Sequence, residues 1–419
     1  MTAFELRAHD WFEGGAPKEL AVTNTLLTII VNDHIVSSLN TPSIRSVSDS
    51  LCLPLYPLAE WLAGNWWRLL YECNALRQPQ EYQERHNLMF AGEGYLLPDL
   101  TLLPEQDVFR LQWHPRSINQ GARALTSQGN ATLDFSLVME TLAAFIRLVV
   151  DRLAVCGLHD TPLQQDWQAI CASSQDPEER SFCIACAQLG LDPYCVDTET
   201  ANRIIQADET LSGSLDMADL FHATSPEELL AFGSWLQEQQ HIPASSCRAA
   251  QRLRDIRASL PPTSPNRPWT QGYEDARWLR ANFCPSQSAL RTLRGLVDDL
   301  TRHTAIPCEF CNALVHHHQT PAFLTSAPAK SFLQGRLLGE FLRHSDHQLN
   351  LVTRVNANSQ KYTRAFAAEL VAPASELQRS LKGRTVLGEE DIADLAEQFD
   401  TSEFVIRHQM ENHHLASIA

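Results

Sequence analysis

Apolar residues recur at helical spacing in two neighbouring stretches near the end of the chain. In the first, Phe332, Leu333, Leu337, Leu338, Phe341 and Leu342 make the apolar set, and Gln334, Arg336, Glu340 and Arg343 fill the remaining polar positions; this spacing predicts a helix. In the second, Ala365, Phe366, Ala367, Leu370 and Val371 predict a helix with a small, tightly packable face. Pro373 stops it, because proline cannot continue the hydrogen-bond ladder. Near the start the period changes. Two β-prone runs flank Asn32-Asp33 in LLTIIVNDHIVSS, which predicts a hairpin. Residues 57–73 then place Leu58, Trp61, Leu62, Trp66, Leu69, Leu70 and Cys73 on one helical stripe, a core pattern rather than an exposed aromatic face. Strand-like pieces follow at 95–103 and 108–114. Gly92 and Gly94 read as a turn, since neither a third glycine nor a P-loop lysine follows them. The apolar seam of 133–155 predicts a long helix. Asp134, Glu140, Arg147, Asp151 and Arg152 interrupt it, so it belongs to a core and not to a lipid bilayer.

Residues 160–257 read as mostly helical, with no strand of convincing length. At 258–268 the sequence is ASLPPTSPNRP, whose four prolines exclude helix and central strand and mark a boundary. The expected organisation is α+β and multidomain: an N-terminal α/β module at 1–157, a helical region at 158–257, a Pro-rich linker at 258–268, and a mainly helical domain with a small sheet at 269–419. After the linker come WTQGYEDARWLRANF and a Leu-rich helix at 286–303, and 305–325 supplies the sheet. The tail, GEEDIADLAEQFDTSEFVIRHQMENH, predicts two helices joined at 399–401, with Ser402 capping the second. It resembles a helix-turn-helix in outline. Glu389, Glu390, Asp391, Asp394 and Glu397 on its first helix make it a poor reader of DNA, so packing is the better reading.

The two helices around Arg336 and Phe366 resemble the central motif of the ImmA/IrrE family of zincin-like metallopeptidases. Phe366, Ala367, Ala368, Glu369, Leu370 and Pro373 stand where that family has FAxELxxP, and GYEDARWLR resembles its leading helix. The resemblance covers about the last 155 residues and is most specific at 365–373. It implies a zincin-like fold, and it places Arg336 and Glu340 at the positions of the two zinc-binding histidines, Leu337 at the catalytic glutamate and Gln360 at the third ligand. A zinc peptidase needs neutral imidazoles, a carboxylate and a glutamate base. Arginine stays protonated and is no ligand. Arg336 and Glu340, one helical turn apart, are expected to pair with each other across the emptied site.

The chain has 419 residues with 33 Lys and Arg against 50 Asp and Glu, a formal charge of −17. A net anion lacks the general attraction to phosphate backbones, which disfavours nucleic acid as a direct ligand. Arg248, Arg252, Arg254 and Arg257 form a local basic strip that reads as a solvated helix face. No basic start followed by an apolar core opens the sequence, and eleven scattered cysteines suit a reducing compartment, so a cytoplasmic protein without membrane attachment is expected. Three other groups carry metal-ligating residue types. Cys183 and Cys186, with Cys171 and Cys195 nearby, sit on an apolar helix where buried thiols pack as small hydrophobes. His303, Cys308, Cys311 and His316 form a Cys-x-x-Cys flanked by histidines, followed by His317 and His318. Glu340, His344 and His347 share a face if their helix continues.

Two functions follow. In the first, the C-terminal domain is a non-catalytic ImmA/IrrE-like regulatory protein. It needs no cofactor and binds a protein partner, a regulator or antitoxin, in a cleft around Arg336, Glu340, Gln360 and Arg364, in a bacterial stress, phage-defence or toxin–antitoxin setting. In the second, it is an active metal-dependent peptidase that cleaves a regulatory protein through a rearranged zinc site. Bound metal discriminates them. A transcription factor using the tail helices is a third reading, against which their acidity argues.

Overall fold

The computed structural model describes residues 3–12, 14, 17–118, 123–239, 247–263, 267–316, 321–344 and 348–418. The fold is α+β, with many helices and several small sheets, and it divides into two compact units, Met1–Ala201 and Asn202–Ala419. No helix among the described residues is long and apolar enough to cross a membrane.

In the first unit, Asn24–Val31 pairs antiparallel with Phe4–Ala8, with Leu51–Pro54 and, through the expected hairpin, with His34–Ile35. Val31 faces His34 across a turn in which Asn32 takes a left-handed φ of 53°, a conformation asparagine tolerates. A meander of Asp99–Glu105, Val108–His114 and Gly129–Asp134 leads into the helix Phe135–Val155. That helix sinks Val138, Leu142, Phe145, Ile146, Val149 and Leu153 into the same core as Phe109 and Trp113. The helix expected at 57–73 is instead two, Tyr56–Gly64 and Trp66–Tyr71. The break falls at Asn65, whose φ of −107° and ψ of 6° leave the helical range while its side-chain amide joins its own backbone N–H on the Trp61 carbonyl, at 2.9 and 3.1 Å. Trp66 and Trp67 are buried, in keeping with a core stripe.

The second unit holds a four-stranded sheet. Ala322–Thr325 lies parallel to Thr301–His303 and antiparallel to Cys311–His316, which in turn pairs with Leu349–Thr353. The helix expected at 286–303 ends as Gln287–Asp298, and His303 belongs to a strand. Three helices pack against one another beside the sheet: Pro268–Phe283, Ser331–Arg343 and Asn358–Val371, here called the leading, Arg336 and Gln360 helices. Their close approach depends on glycine. A Cβ on Gly272 would lie 2.5 Å from the Tyr362 carbonyl oxygen, and one on Gly339 would lie 2.7 Å from the Phe366 ring.

The tail helices, Glu389–Gln398 and Glu403–Asn412, pack through Ile392, Leu395, Val405, Ile406 and Met410 onto Val371, Ala372 and Leu377. Ser402 caps the second by accepting from the Val405 amide. Gln409 donates to the Ala372 carbonyl at 2.8 Å and to Glu369 at 3.1 Å, so this pair is bound to the end of the Gln360 helix by hydrogen bonds as well as apolar contact.

Candidate functional site

The polar residues of the two motif helices turn inward. Arg336, Glu340 and Gln360 are almost wholly buried. Arg336 donates from Nη2 to Gln360 Oε1 at 2.7 Å and to the Thr353 carbonyl at 2.8 Å, and from Nε to the Thr363 hydroxyl at 3.3 Å. Gln360 Oε1 also accepts from the Thr353 amide at 2.8 Å. Its Nε2 donates to the Leu351 carbonyl at 2.8 Å and to Asp219 Oδ2 at 3.1 Å. Asp219 comes from the short helix Met217–Ala223 and is held by a second donor, the Ser359 hydroxyl, at 2.9 Å. The Gln360 amide thus joins a guanidinium to a carboxylate that do not touch.

The expected pair between Arg336 and Glu340 does not form. An arginine one turn before a glutamate is the less favourable order on a helix, and the neutral acceptors at Thr353, Gln360 and Thr363 take the guanidinium. Glu340 instead places Oε1 3.1 Å from His344 Nδ1, while its buried Oε2 has no hydrogen-bond partner. Arg364 braces the loop before its helix, donating to the Val355 carbonyl at 2.8 Å and the Arg354 carbonyl at 3.3 Å.

Burial sets the electrostatics. It raises the Asp219 carboxyl to about 7, with Asp216 and Glu340 adding to the rise, although the Ser359 and Gln360 hydrogen bonds oppose it. Burial also lowers Arg336 to about 9, with Arg364 adding repulsion and Glu340, Cys311 and Asp219 partly offsetting it. Arg364 falls to about 10 through burial, offset in part by Asp219. Arg336 and two carboxylates therefore share one buried region with the half-buried Arg364 at its edge, linked mainly by neutral groups.

Beside this cluster lies a cavity of about 220 Å³ lined by Thr263, Pro268, Gln271, Arg343, His344, Asn358, Ser359 and Tyr362. Asp275 braces its wall. Arg343 grips it through two hydrogen bonds of 2.8 and 2.6 Å, and Tyr362 and Gln271 donate to it at 2.8 and 2.7 Å. His344 and Ser359 connect the cavity to the buried cluster through Glu340 and Asp219. The Pro-rich stretch contributes Thr263, and Arg343 ties it down by donating to the Pro261 carbonyl at 2.9 Å.

Of the residues read from sequence, Arg336 and Gln360 come into direct contact, while Leu337 packs in the apolar core. Glu369, in FAAELVAP, is held by Arg277 of the leading helix at 2.8 Å and accepts from the Ala374 amide at 3.3 Å, so two of the motif segments meet there. Cys308 and Cys311 are buried. The Cys308 thiol is pushed well up, first by its hydrogen bond with Cys311 and then by burial, and it donates to the Ala223 carbonyl at 3.3 Å. His303 faces the Thr325 hydroxyl at 2.9 Å. Burial pushes Cys183 and Cys186 up to about 11 and about 12, which keeps them as thiols. Among the described residues no three or more His, Cys, Asp or Glu converge as a metal site, and His317, His318 and His347 lie outside those residues. Asp219, Ser359 and Asp275 were missed from sequence. Asp219 lies on a short helix with no motif, and the only trace of it is an acid within an otherwise apolar ADLF run.

Comparison with protein-family models, with curated proteins and with solved structures finds no match for the chain.

Proposed function

We propose that the second unit is a non-catalytic, ImmA/IrrE-like module that binds a protein partner in the cavity beside Arg336 and Gln360. The partner is a regulatory protein or antitoxin, in a bacterial stress, phage-defence or toxin–antitoxin setting. One observation carries the reading: a buried guanidinium bonded at 2.7 Å to a glutamine amide stands where the resemblance puts two metal ligands. Neither group suits zinc, since arginine remains a cation and the amide oxygen is already shared between two donors. The space between the helices is filled by side chains bonded to each other. The neighbouring cavity, walled by Tyr362, Pro268 and His344, is sized for a partner side chain.

The test is elemental analysis for zinc, manganese and iron on protein purified without added metal or a histidine tag. Near-zero metal per chain supports the reading. About one tightly held zinc per chain, lost on replacing Glu340 and His344, would instead make the protein an active peptidase with a rearranged site. The binding arm is tested by Asn358→Trp, which narrows the cavity and should release a copurifying partner from a chain that still folds, as circular dichroism would show.

A further inference from the structure

The first unit contains a second, larger cavity, of about 570 Å³, with an unusual lining: Trp61, Phe90, Arg68, Arg85, Glu81 and Glu84. Its two arginines differ. Arg85 is committed to Glu72, which it grips through Nε at 3.0 Å and Nη2 at 2.7 Å. Arg68 uses Nη2 alone, donating to the Gly64 carbonyl at 3.2 Å and Asn65 Oδ1 at 3.3 Å, with Asp192 at 3.5 Å. Its Nε and Nη1 make no hydrogen bond within the described unit and are not sealed from solvent, although the side chain is four-fifths buried, with 20% exposed. A guanidinium has five donors in a fixed fork that fits a carboxylate. Burial lowers Arg68 from its ordinary value and Asp192 only partly offsets this, so an added anion would be welcome there.

The remaining lining narrows the ligand. Trp61 and Phe90 offer flat apolar faces, and Phe90 is 44% exposed at the cavity. Two exposed carboxylates stand on the same rim, Glu84, which accepts from Gln80 at 3.2 Å, and Glu81, 3.4 Å from Arg85 Nη1; together they disfavour a polyanion and leave carboxylate oxygens for an ammonium. We propose that this cavity binds a small zwitterion of the aromatic amino-acid kind. Its carboxylate sits on Arg68, its ring lies against Trp61 and Phe90, and its ammonium faces Glu81 and Glu84. The volume is within the range of small-molecule sites. The site lies wholly in the first unit and is independent of the reading given to the second.

The experiment is isothermal titration of the full chain with L-tryptophan and L-phenylalanine at millimolar concentration, alongside L-tryptophanamide, N-acetyl-L-tryptophan and inorganic phosphate. Saturable binding of a free amino acid is expected. It should weaken about tenfold or more when the carboxylate is amidated or Arg68→Gln is introduced, the usual size of a charge-assisted hydrogen bond. Blocking the ammonium by acetylation, or Glu84→Gln on the exposed rim, should weaken it less. If Arg68→Gln fails to fold, the ligand series and Glu84→Gln carry the test alone. Absence of binding by either amino acid, equal binding of the amide, or competition by phosphate would each overturn the proposal.

Discussion

Each unit buries an arginine, and the two treat it in opposite ways. In the first, Arg85 meets the Glu72 carboxylate directly and in two-pronged geometry. Burial alone would lower Arg85, but the hydrogen bond and charge of Glu72 hold it above its ordinary value. In the second, Arg336 has only neutral acceptors, and the nearest linked carboxylate, Asp219, lies beyond the Gln360 amide. There burial wins, lowering the arginine and raising the acid. Glu72 is itself raised by burial against the pull of Arg85, so the direct pair offsets desolvation on the arginine but not fully on the acid. An amide-relayed pair leaves both charges under-compensated, an arrangement that stability alone does not explain.

The contrast is broken most forcefully by removing one member of the direct pair. Glu72→Ala leaves Arg85 buried with only the more distant Glu81, at 3.4 Å, on the solvent side. The loss in urea unfolding should be about 3–5 kcal/mol, the range for an orphaned buried charge. A loss under 1 kcal/mol would mean that Arg85 finds water, and that the first unit's pair is no tighter than the second's arrangement.

Asp219 gives the next largest effect, one that shows in the dependence of stability on pH. Its folded value of about 7 stands above the ordinary 3.8. Between those values the folded chain holds a proton that the unfolded chain has released, so stability falls as pH rises through the window. The cost is absent below the lower value and complete above the upper. Asp219→Asn keeps an oxygen for Ser359 and Gln360 and removes the charge. It should therefore stabilise the protein at pH 8 by on the order of 2 kcal/mol, with the gain shrinking toward pH 4. Paired unfolding curves at the two pH values check this, and a gain independent of pH would show that Asp219 is not the titrating group.

The sequence revealed the parts of this comparison unevenly. Local signals read well. The hairpin at Asn32, the long helix Phe135–Val155 and the Ser402-capped tail helix each rest on residues that bond within a few positions of one another. The break at Asn65 was hidden because the apolar stripe runs unbroken across it and a single residue leaves the helical range. The polar cluster was half legible. Arg336, Glu340 and Gln360 lie on periodic helices, but their partners do not follow from periodicity. Thr353 comes from a strand, Asp219 from a remote helix, and Glu340 turns to His344 rather than to Arg336. Helical spacing places a charge on a face but not its partner across the core.

The smallest effect is the most diagnostic for Arg336. Arg336→Met removes the guanidinium and fills much of its volume. Gln360 Oε1 keeps the Thr353 amide as a donor, at 2.8 Å, so the main groups left short are the Thr353 carbonyl and the offset charge near Glu340. Against that loss stands the recovered cost of keeping a cation out of water with no carboxylate in contact. The two terms nearly cancel, so the loss in urea unfolding should be about 1 kcal/mol, well below that of Glu72→Ala. A loss as large as that of Glu72→Ala would make the relay through Gln360 as strong as a direct pair, and Arg336 would then be needed by the fold itself. A small loss leaves its place between the two helices without a stability explanation, the outcome expected on the proposed reading of a non-catalytic binding module.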